Sequence, residues 1–275
     1  MRPIPTGLAV ALLSLLAVPD ARAAEPTPPL PAAVQGLRLI PGWLRDDGAR
    51  VAAIEITLAP GWHTYWRVPG ASGVPPEFDW SDSGNLEAVA YEWPRPVVFD
   101  SYGEATIGYK ERLTLPVVLT PAHAGAPVEA ALNLFFGVCK DICIPAEARI
   151  EARLDPDAPP QGRAQIERAL ADRPVDGAAA GVVARCSLAP GEGGGEITAD
   201  IVSARAAFGR DPTTVIEAGA RSDLWIGPTA TEARGDRLSA VARLDALTGA
   251  VLDRGALRVT VLDDDRAIDI RGCAG

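Results

Sequence analysis

The feature that most constrains the fold is a repeated alternation between short apolar segments and turns. Segments rich in β-branched and other apolar residues are separated by proline and glycine, of which the 275-residue chain contains 25 and 27. Short runs bounded by turn residues are typical of antiparallel strands. Before residue 155 these runs lie at 51–58, 86–93, 112–119, 128–138 and 146–154. Strands at this spacing, with almost no helical periodicity, predict an antiparallel β-sandwich of immunoglobulin-like size.

The composition changes after this region. A proline pair and a short stretch with helical spacing within 156–180 predict a linker with a short helix. Strand-like segments then resume at 182–188, 196–203, 213–218, 238–244 and 257–262. We therefore predict an all-β chain, in which an immunoglobulin-like antiparallel β-sandwich at 37–155 is followed by a second, smaller β-domain at 181–275.

The first 23 residues have the pattern of an export signal. Arg2 supplies a positive start, an uncharged apolar run covers 7–18, and residues 21–23 have the small-x-small form that signal peptidase accepts. That run is too short for a permanent membrane helix, and no later apolar stretch approaches the ~20 residues needed. We expect a periplasmic protein that is soluble after signal cleavage, with no direct membrane span and a flexible lead-in at 24–36.

The charge and the ligand-forming residues restrict the binding partners. The formal net charge of −10 at pH 7 opposes binding to nucleic acid. The chain has four cysteines and two histidines, and His63 and His123 are distant in sequence from the cysteines. This set lacks the ligand spacing of a zinc site, so no metal and no cofactor are expected.

The most informative motif is the pair Cys139 and Cys143, which brackets three residues between two predicted strands. Across a tight reversal this spacing allows a disulfide. A ring this small restricts the unfolded chain less than a bridge over a long loop does, and a small ring can be strained and easier to reduce. A structural clip on a hairpin has the same spacing, so the residues alone leave both a redox pair and a clip open.

Several longer motifs surround this pair. They are GWHTYW at 61–66, WP at 93–94, DSYG at 100–103, YKERLTLP at 109–116 and CKDICIP at 139–145. Over residues 43–154 the sequence resembles the N-terminal periplasmic domain of the DsbD family of thiol:disulfide interchange proteins and of its relative ScsB, and GWHTYW with the C-x3-C site is closer to ScsB.

The resemblance implies an immunoglobulin-like domain whose redox pair is Cys139 and Cys143. It implies that this pair receives electrons from a thioredoxin-like or membrane thiol donor and delivers them to disulfide-bonded exported acceptor proteins. The activity would be that of a protein-disulfide reductase component, and Cys143 is expected to attack the acceptor.

The resemblance also implies a cap loop over the pair, at 100–103. Ser101 stands where the family has an aromatic residue, so Phe99 or Tyr102 is expected to shield the sulfurs. Two further residues match family positions near the cysteines and are expected to tune or shield the site. The expected cap and tuning residues are therefore His63, Tyr65, Phe99, Asp100, Ser101 and Tyr102.

A second cysteine pair, Cys186 and Cys273, lies on the first and last predicted strands of the second domain. Such strands are often neighbours in a sandwich, which predicts a structural disulfide rather than two free thiols.

Two rival functions stay open. One is a non-catalytic exported binding module with a structural Cys139–Cys143 bond. The other is a carbohydrate binder that uses clustered tryptophans, although packing in the core is the commoner role of such residues. The tryptophans concerned are Trp62, Trp66, Trp80 and Trp93.

Overall fold

The structure is a computed structural model that describes residues 29–274 except 72, 102, 192–193, 220–223, 247–251 and 265. The predicted export signal at 1–23 lies outside these residues. The described chain is nearly all β-structure arranged in antiparallel sheets, which confirms the predicted fold class. Within the described ranges, no helix has the length and apolar character needed to cross a membrane.

The first domain is a sandwich of two sheets. One sheet has the strand order β1-β2-β8-β5, and the other has the order β10-β9-β3-β7-β6 with β4 paired to β9. In chain order the strands are β1 (Val34–Leu44), β2 (Arg50–Leu58), β3 (His63–Gly70), β4 (Glu77–Asp79), β5 (Ala88–Tyr91), β6 (Val97–Ser101), β7 (Glu104–Lys110), β8 (Arg112–Thr120), β9 (Val128–Cys139) and β10 (Cys143–Leu154).

The core lies between these two sheets. Each sheet points alternate side chains inward, and Ile54, Leu115 and Phe136 are fully buried there. Burial of a side chain of this size stabilises the fold by about 1.5–3 kcal/mol. The clustered tryptophans belong to the same core. Trp66 and Trp93 are buried in it, and Trp62 and Trp80 are half-buried and pack against it. Their packing role is confirmed, and an exposed aromatic platform for carbohydrate is not formed.

The described residues after β10 form two short helices and a second sandwich. Its sheets have the orders β11-β18-β17-β14 and β12-β13-β16-β15. The elements are α1 (Arg163–Ala171), β11 (Val175–Asp176), α2 (Gly177–Ala180), β12 (Val182–Gly191), β13 (Gly194–Ser203), β14 (Thr213–Glu217), β15 (Leu224–Arg234), β16 (Arg237–Ala246), β17 (Arg258–Asp263) and β18 (Arg266–Arg271).

Helix α1 lies where the sequence predicts one and packs on the first domain. Its only buried residue, Ile166, contacts Ile40, Val51 and Ala53 of β1 and β2. The short strand β11 pairs in parallel with β18, so residues 175–176 are part of a second-domain sheet.

One sheet of the second domain is buried on both faces. Side chains of β17 and β18 such as Val259 and Ile268 enter the core of their own sandwich. Val215, Leu262 and Ala267 point the other way and belong to the core cluster of the first domain. Because successive residues of a strand face opposite sides, this sheet is a layer that both domains use.

The last strand is joined to the first strand of the second domain. Cys186 of β12 and Cys273 form a disulfide across 87 positions, with their Cα atoms 5.4 Å apart. The backbone beside it continues this connection, since Cys186 N–H donates to the carbonyl oxygen of Ala274 at 2.9 Å.

The loop lengths of the two disulfides predict different stabilities. Replacing Cys186 and Cys273 together with alanine should lower the free energy of unfolding by about 4 to 5 kcal/mol, because this bridge closes a long loop. The same replacement of Cys139 and Cys143 should cost only about 2 kcal/mol on the same chain-entropy estimate. Urea unfolding of both double variants measures the difference. Equal losses would show that loop closure does not set the contribution of these bonds.

Candidate redox site

The hairpin of β9 and β10 places the two cysteines opposite each other. The strands pair without a register shift from Leu154↔Val128 up to Cys143↔Cys139, and Lys140 N–H donates to the carbonyl oxygen of Ile142 at 3.1 Å within the turn. The Cα atoms of the two cysteines are 4.2 Å apart and their sulfurs are bonded. The site is therefore a disulfide across the end of a hairpin.

The two cysteines differ in their access to solvent. Cys139 ends a strand that has neighbours on both sides, and only 1% of its surface is exposed. Cys143 begins the edge strand β10 and is exposed, as is Ile142 beside it, with 65% of its surface accessible. An incoming thiol therefore reaches the disulfide from the side of Cys143.

Tyr65 contacts both sulfurs. Its hydroxyl oxygen lies 2.7 Å from Cys139 Sγ and 3.1 Å from Cys143 Sγ. Burial raises the pKa of Tyr65, so the hydroxyl keeps its proton at neutral pH. A sulfur in a disulfide has no proton, so the hydroxyl is the donor. The same donor is in place for a thiolate when the bond opens, and hydrogen bonding to a thiolate lowers the pKa of that thiol.

The ring of Tyr65 is held between two glycines. A Cβ atom added to Gly137 would lie 2.7 Å from Cε2 of the ring, and one added to Gly73 would lie 2.8 Å from Cδ1 on its other edge. Thr64 holds the backbone at Gly137 in place, because its hydroxyl donates to the carbonyl oxygen of Gly137 at 2.9 Å. The ring fits this slot only because both walls are backbone without side chains.

His63 lies at the same end of the sheet. In register it is opposite Cys139 on one side and Lys110 on the other. Burial, with a smaller contribution from the charge of Lys110, lowers the pKa of His63, so the imidazole is neutral at pH 7. It is 8% exposed, and within the described residues its Nε2 has no hydrogen-bond partner. A neutral imidazole adds no positive charge that would stabilise a thiolate.

The β6–β7 hairpin covers His63. The ring of Phe99 packs edge-on against the imidazole with 4.6 Å between centroids, and Lys110 Nζ lies 5.2 Å from the centroid of the same ring. Asp100 accepts a hydrogen bond from the backbone N–H of Gly103 at 3.2 Å, which stabilises the turn. Ser101 is half-buried at the end of β6.

Tyr102, the other expected shield, lies outside the described residues. The position of Phe99 makes it a cover for the imidazole, while the group that contacts the sulfurs is the Tyr65 hydroxyl. Among the residues that the structure describes, no cluster of histidine, cysteine and carboxylate side chains could hold a metal ion.

The comparisons with known proteins agree with this geometry. Residues 39–155 match the family model described as thiol:disulfide interchange protein DsbD, N-terminal. These residues make up the first sandwich, so the family match applies to that sandwich and covers less than half of the chain. The crystal structure of the N-terminal periplasmic domain of ScsB from Proteus mirabilis has the same fold, with a TM-score of 0.63 and 24% sequence identity. No curated protein matches the chain significantly.

The structural likeness extends beyond the first sandwich. The match to the ScsB domain covers 88% of this chain and 98% of that chain, so it includes much of the second sandwich as well. Within the first sandwich, the fold brings His63 and Tyr65 to the cysteine pair and packs Phe99 on His63. The residues that sequence reasoning missed are Gly73 and Gly137, because glycine in a sequence indicates turns and carries no sign of a ring packed against it.

Replacing Tyr65 with phenylalanine should raise the pKa of the nucleophilic thiol by about 1 to 2, because a hydrogen bond to a charged group is lost. The rate of alkylation of the reduced protein by iodoacetamide as a function of pH measures this pKa. Tyr109→Phe is the matched control, since that buried hydroxyl donates to the carbonyl oxygen of Pro94 at 2.8 Å. A Tyr65→Phe profile identical to that of the wild type would contradict the assigned donor.

Gly137→Ala should have two effects. The new Cβ would meet the Tyr65 ring, so overpacking should lower the free energy of unfolding by about 1 to 3 kcal/mol. Displacing the ring should also raise the thiol pKa as Tyr65→Phe does. Gly36→Ala is the control, because a Cβ there would lie at an ordinary 3.6 Å from Thr57 Cβ. Urea unfolding and alkylation measure the two effects, and equal behaviour of the two variants would count against the slot.

Proposed function

We propose that this chain is a periplasmic thiol–disulfide interchange module that relays electrons through Cys139 and Cys143 to disulfide-bonded partner proteins. The observation that carries the proposal is the asymmetric disulfide of a DsbD-type domain: Cys143 is exposed, Cys139 is buried, and a tyrosine hydroxyl donates to both sulfurs.

Reduction of the pair begins at the exposed cysteine. A donor thiolate attacks Cys143 Sγ, the bond between the two sulfurs breaks, and its electron pair leaves on Cys139 Sγ as a thiolate. The Tyr65 hydroxyl, already 2.7 Å from this sulfur, stabilises that charge. The second thiolate of the donor then attacks the donor sulfur of the mixed disulfide. The donor leaves as a disulfide, and Cys143 is released as a thiolate that takes a proton from water.

Delivery to the acceptor reverses these roles. Cys143 returns its proton to water, and its thiolate attacks a sulfur of the acceptor disulfide, forms a mixed disulfide, and releases the other acceptor sulfur as a thiolate. Cys139, as a thiolate beside Tyr65, then attacks Cys143 Sγ. This step re-forms the Cys139–Cys143 bond and frees the second acceptor sulfur, so two electrons have moved from the pair to the acceptor. Such exchange proceeds only through a thiolate that can reach the disulfide in line.

The partners follow from this chemistry. The donor must present two thiols, as a thioredoxin-like or membrane thiol protein does, and the acceptor must carry an accessible disulfide. Disulfide-bonded acceptors persist in an oxidising compartment, which agrees with an exported protein. Exposed Ile142 next to Cys143 provides an apolar contact for a partner at the point of exchange.

The burial difference predicts which single-cysteine variant forms mixed disulfides. The probe is a thioredoxin that lacks its resolving cysteine and whose remaining cysteine is activated as a mixed disulfide. Cys139→Ser leaves Cys143 exposed, so this variant should form a mixed disulfide with the probe. Cys143→Ser, which leaves only the buried Cys139, should react at least about tenfold more slowly because exchange depends on access. Gel analysis without reductant, confirmed by mass mapping, measures both rates.

A structural clip gives a different outcome with the wild-type chain. A clip would leave the Cys139–Cys143 bond intact after incubation with excess reduced thioredoxin. Loss of the bond on that treatment supports the relay, and persistence of the bond would overturn it.

A further inference from the structure

The strand that carries Tyr65 loses its backbone pairing immediately after that residue. Tyr65 is opposite Gly108 of β7, and the next pair is Gly70↔Thr106, so residues 66–69 of β3 are opposite only one residue of β7. On its other side β3 pairs with β9 only at His63 and Thr64. The backbone between Tyr65 and Gly70 therefore forms a bulge that the pairing with β7 holds only at its two ends.

The segment after this gap forms one wall of the Tyr65 slot. A Cβ on Gly73 would lie 2.3 Å from Pro69 Cβ and 2.8 Å from the Tyr65 ring, which shows how closely these three residues approach. Val74 lies near Gly137, at 3.2 Å from the position that a Cβ there would take. A contact that holds residues 66–69 in place therefore also holds the Gly73 side of the slot around the Tyr65 ring.

Trp66 and Val68 of this segment pack in or against the first core, and a further contact that holds it comes from the second domain. The guanidinium of Arg67 donates two hydrogen bonds to the carboxylate of Glu217 on β14, at 2.9 and 2.8 Å, and lies 3.3 Å from Thr260 Oγ1 on β17. The same guanidinium stacks 3.8 Å above the ring of Trp66, which is fully buried in the first core.

This bridge is unlike the surface ion pairs of the molecule. The Arg67 and Glu217 side chains are 14% and 20% exposed, and the pair is bidentate. Bidentate arginine–carboxylate pairs hold one geometry, and partial burial limits screening by salt. By contrast, Arg243 and Asp245 on β16 form a pair whose side chains are 71% and 37% exposed.

We infer that the Arg67–Glu217 bridge makes the second domain part of the framework that holds the Tyr65 hydroxyl on the Cys139–Cys143 pair. The inference rests on the proposed redox function of that pair. Arg67 and Glu217 are positioning residues in this scheme, because they act through the backbone and walls that surround Tyr65. The second domain is thereby assigned a role in setting the redox equilibrium of the first.

Loss of the bridge should make the disulfide harder to reduce. The Tyr65 hydroxyl donates to the thiolate of the reduced form, so a ring that leaves its slot stabilises that form less. Glu217→Ala should therefore lower the equilibrium constant for reduction of the pair by roughly threefold to tenfold, which lies within the range seen for couplings through a packed network. In a Tyr65→Phe background the same substitution should change nothing, because the hydroxyl is already absent.

A direct electrostatic effect would have the opposite sign. Glu217→Ala leaves the positive charge of Arg67 without its carboxylate, and a nearby positive charge favours thiolates. That effect would raise the equilibrium constant, and it would persist with phenylalanine at position 65. The direction of the change and its dependence on Tyr65 therefore separate positioning from charge.

The test measures the equilibrium of the full chain with reduced and oxidised glutathione, using alkylation and mass analysis of the peptide that contains Cys139 and Cys143. The proteins are the wild type, Glu217→Ala, Tyr65→Phe, the double variant, and Asp245→Ala, which removes a carboxylate from the exposed pair of the same domain. Circular dichroism confirms that each protein is folded.

The results separate failure of this inference from failure of the proposed function. The inference is supported if the equilibrium constant for reduction falls in Glu217→Ala, does not fall further when Glu217→Ala is added to Tyr65→Phe, and is unchanged in Asp245→Ala. An unchanged or raised constant for Glu217→Ala overturns it, and so does a fall that persists without the Tyr65 hydroxyl or that Asp245→Ala reproduces. A wild-type pair that never equilibrates with glutathione or thioredoxin would instead defeat the proposed function itself.

Discussion

The unbroken pairing of β9 with β10 is the constraint on which the site depends. Because no residue is inserted along twelve opposed pairs, the hairpin brings Cys143 directly across from Cys139. The order of strands in the sheet then gives the two cysteines different environments, since β9 has neighbouring strands on both sides and β10 is an edge strand. One disulfide therefore has a sheltered sulfur and an accessible one. The Tyr65 hydroxyl can serve both sulfurs only because this pairing keeps them together.

Much of the fold could be predicted from sequence, and the exceptions have a physical reason. Strands with clear apolar runs, such as β2, β8 and β9, were expected close to where they lie. Several others were not, among them β1, β6, β7, β15 and β18. Strand β3 was missed because its first four residues are all buried, whether polar or aromatic, and such a strand shows no alternation. Helix α2, made of glycine and alanine, and the two-residue strand β11 were also missed, since both depend on contacts with β18.

The site was predicted in part. Spacing marked the cysteine pair, and the resemblance to the DsbD family marked His63 and Tyr65, but neither could give the slot in which the tyrosine sits. That slot requires two glycines, 64 positions apart in sequence, on opposite edges of one ring. The cap illustrates the same limit. Phe99 or Tyr102 was expected to shield the sulfurs, and Tyr102 lies outside the described residues. Phe99 packs on the imidazole of His63, a contact that depends on how β6 and β7 cross the end of β3.

The sheet that both domains share has a consequence for folding. Since Val215, Leu262 and Ala267 complete the first core while their neighbours fill the second, neither sandwich can lose this layer without exposing apolar surface on the other. The two sandwiches should therefore unfold in one cooperative transition. The Cys186–Cys273 bond, which lies entirely outside the first domain, should then also slow local opening of that domain.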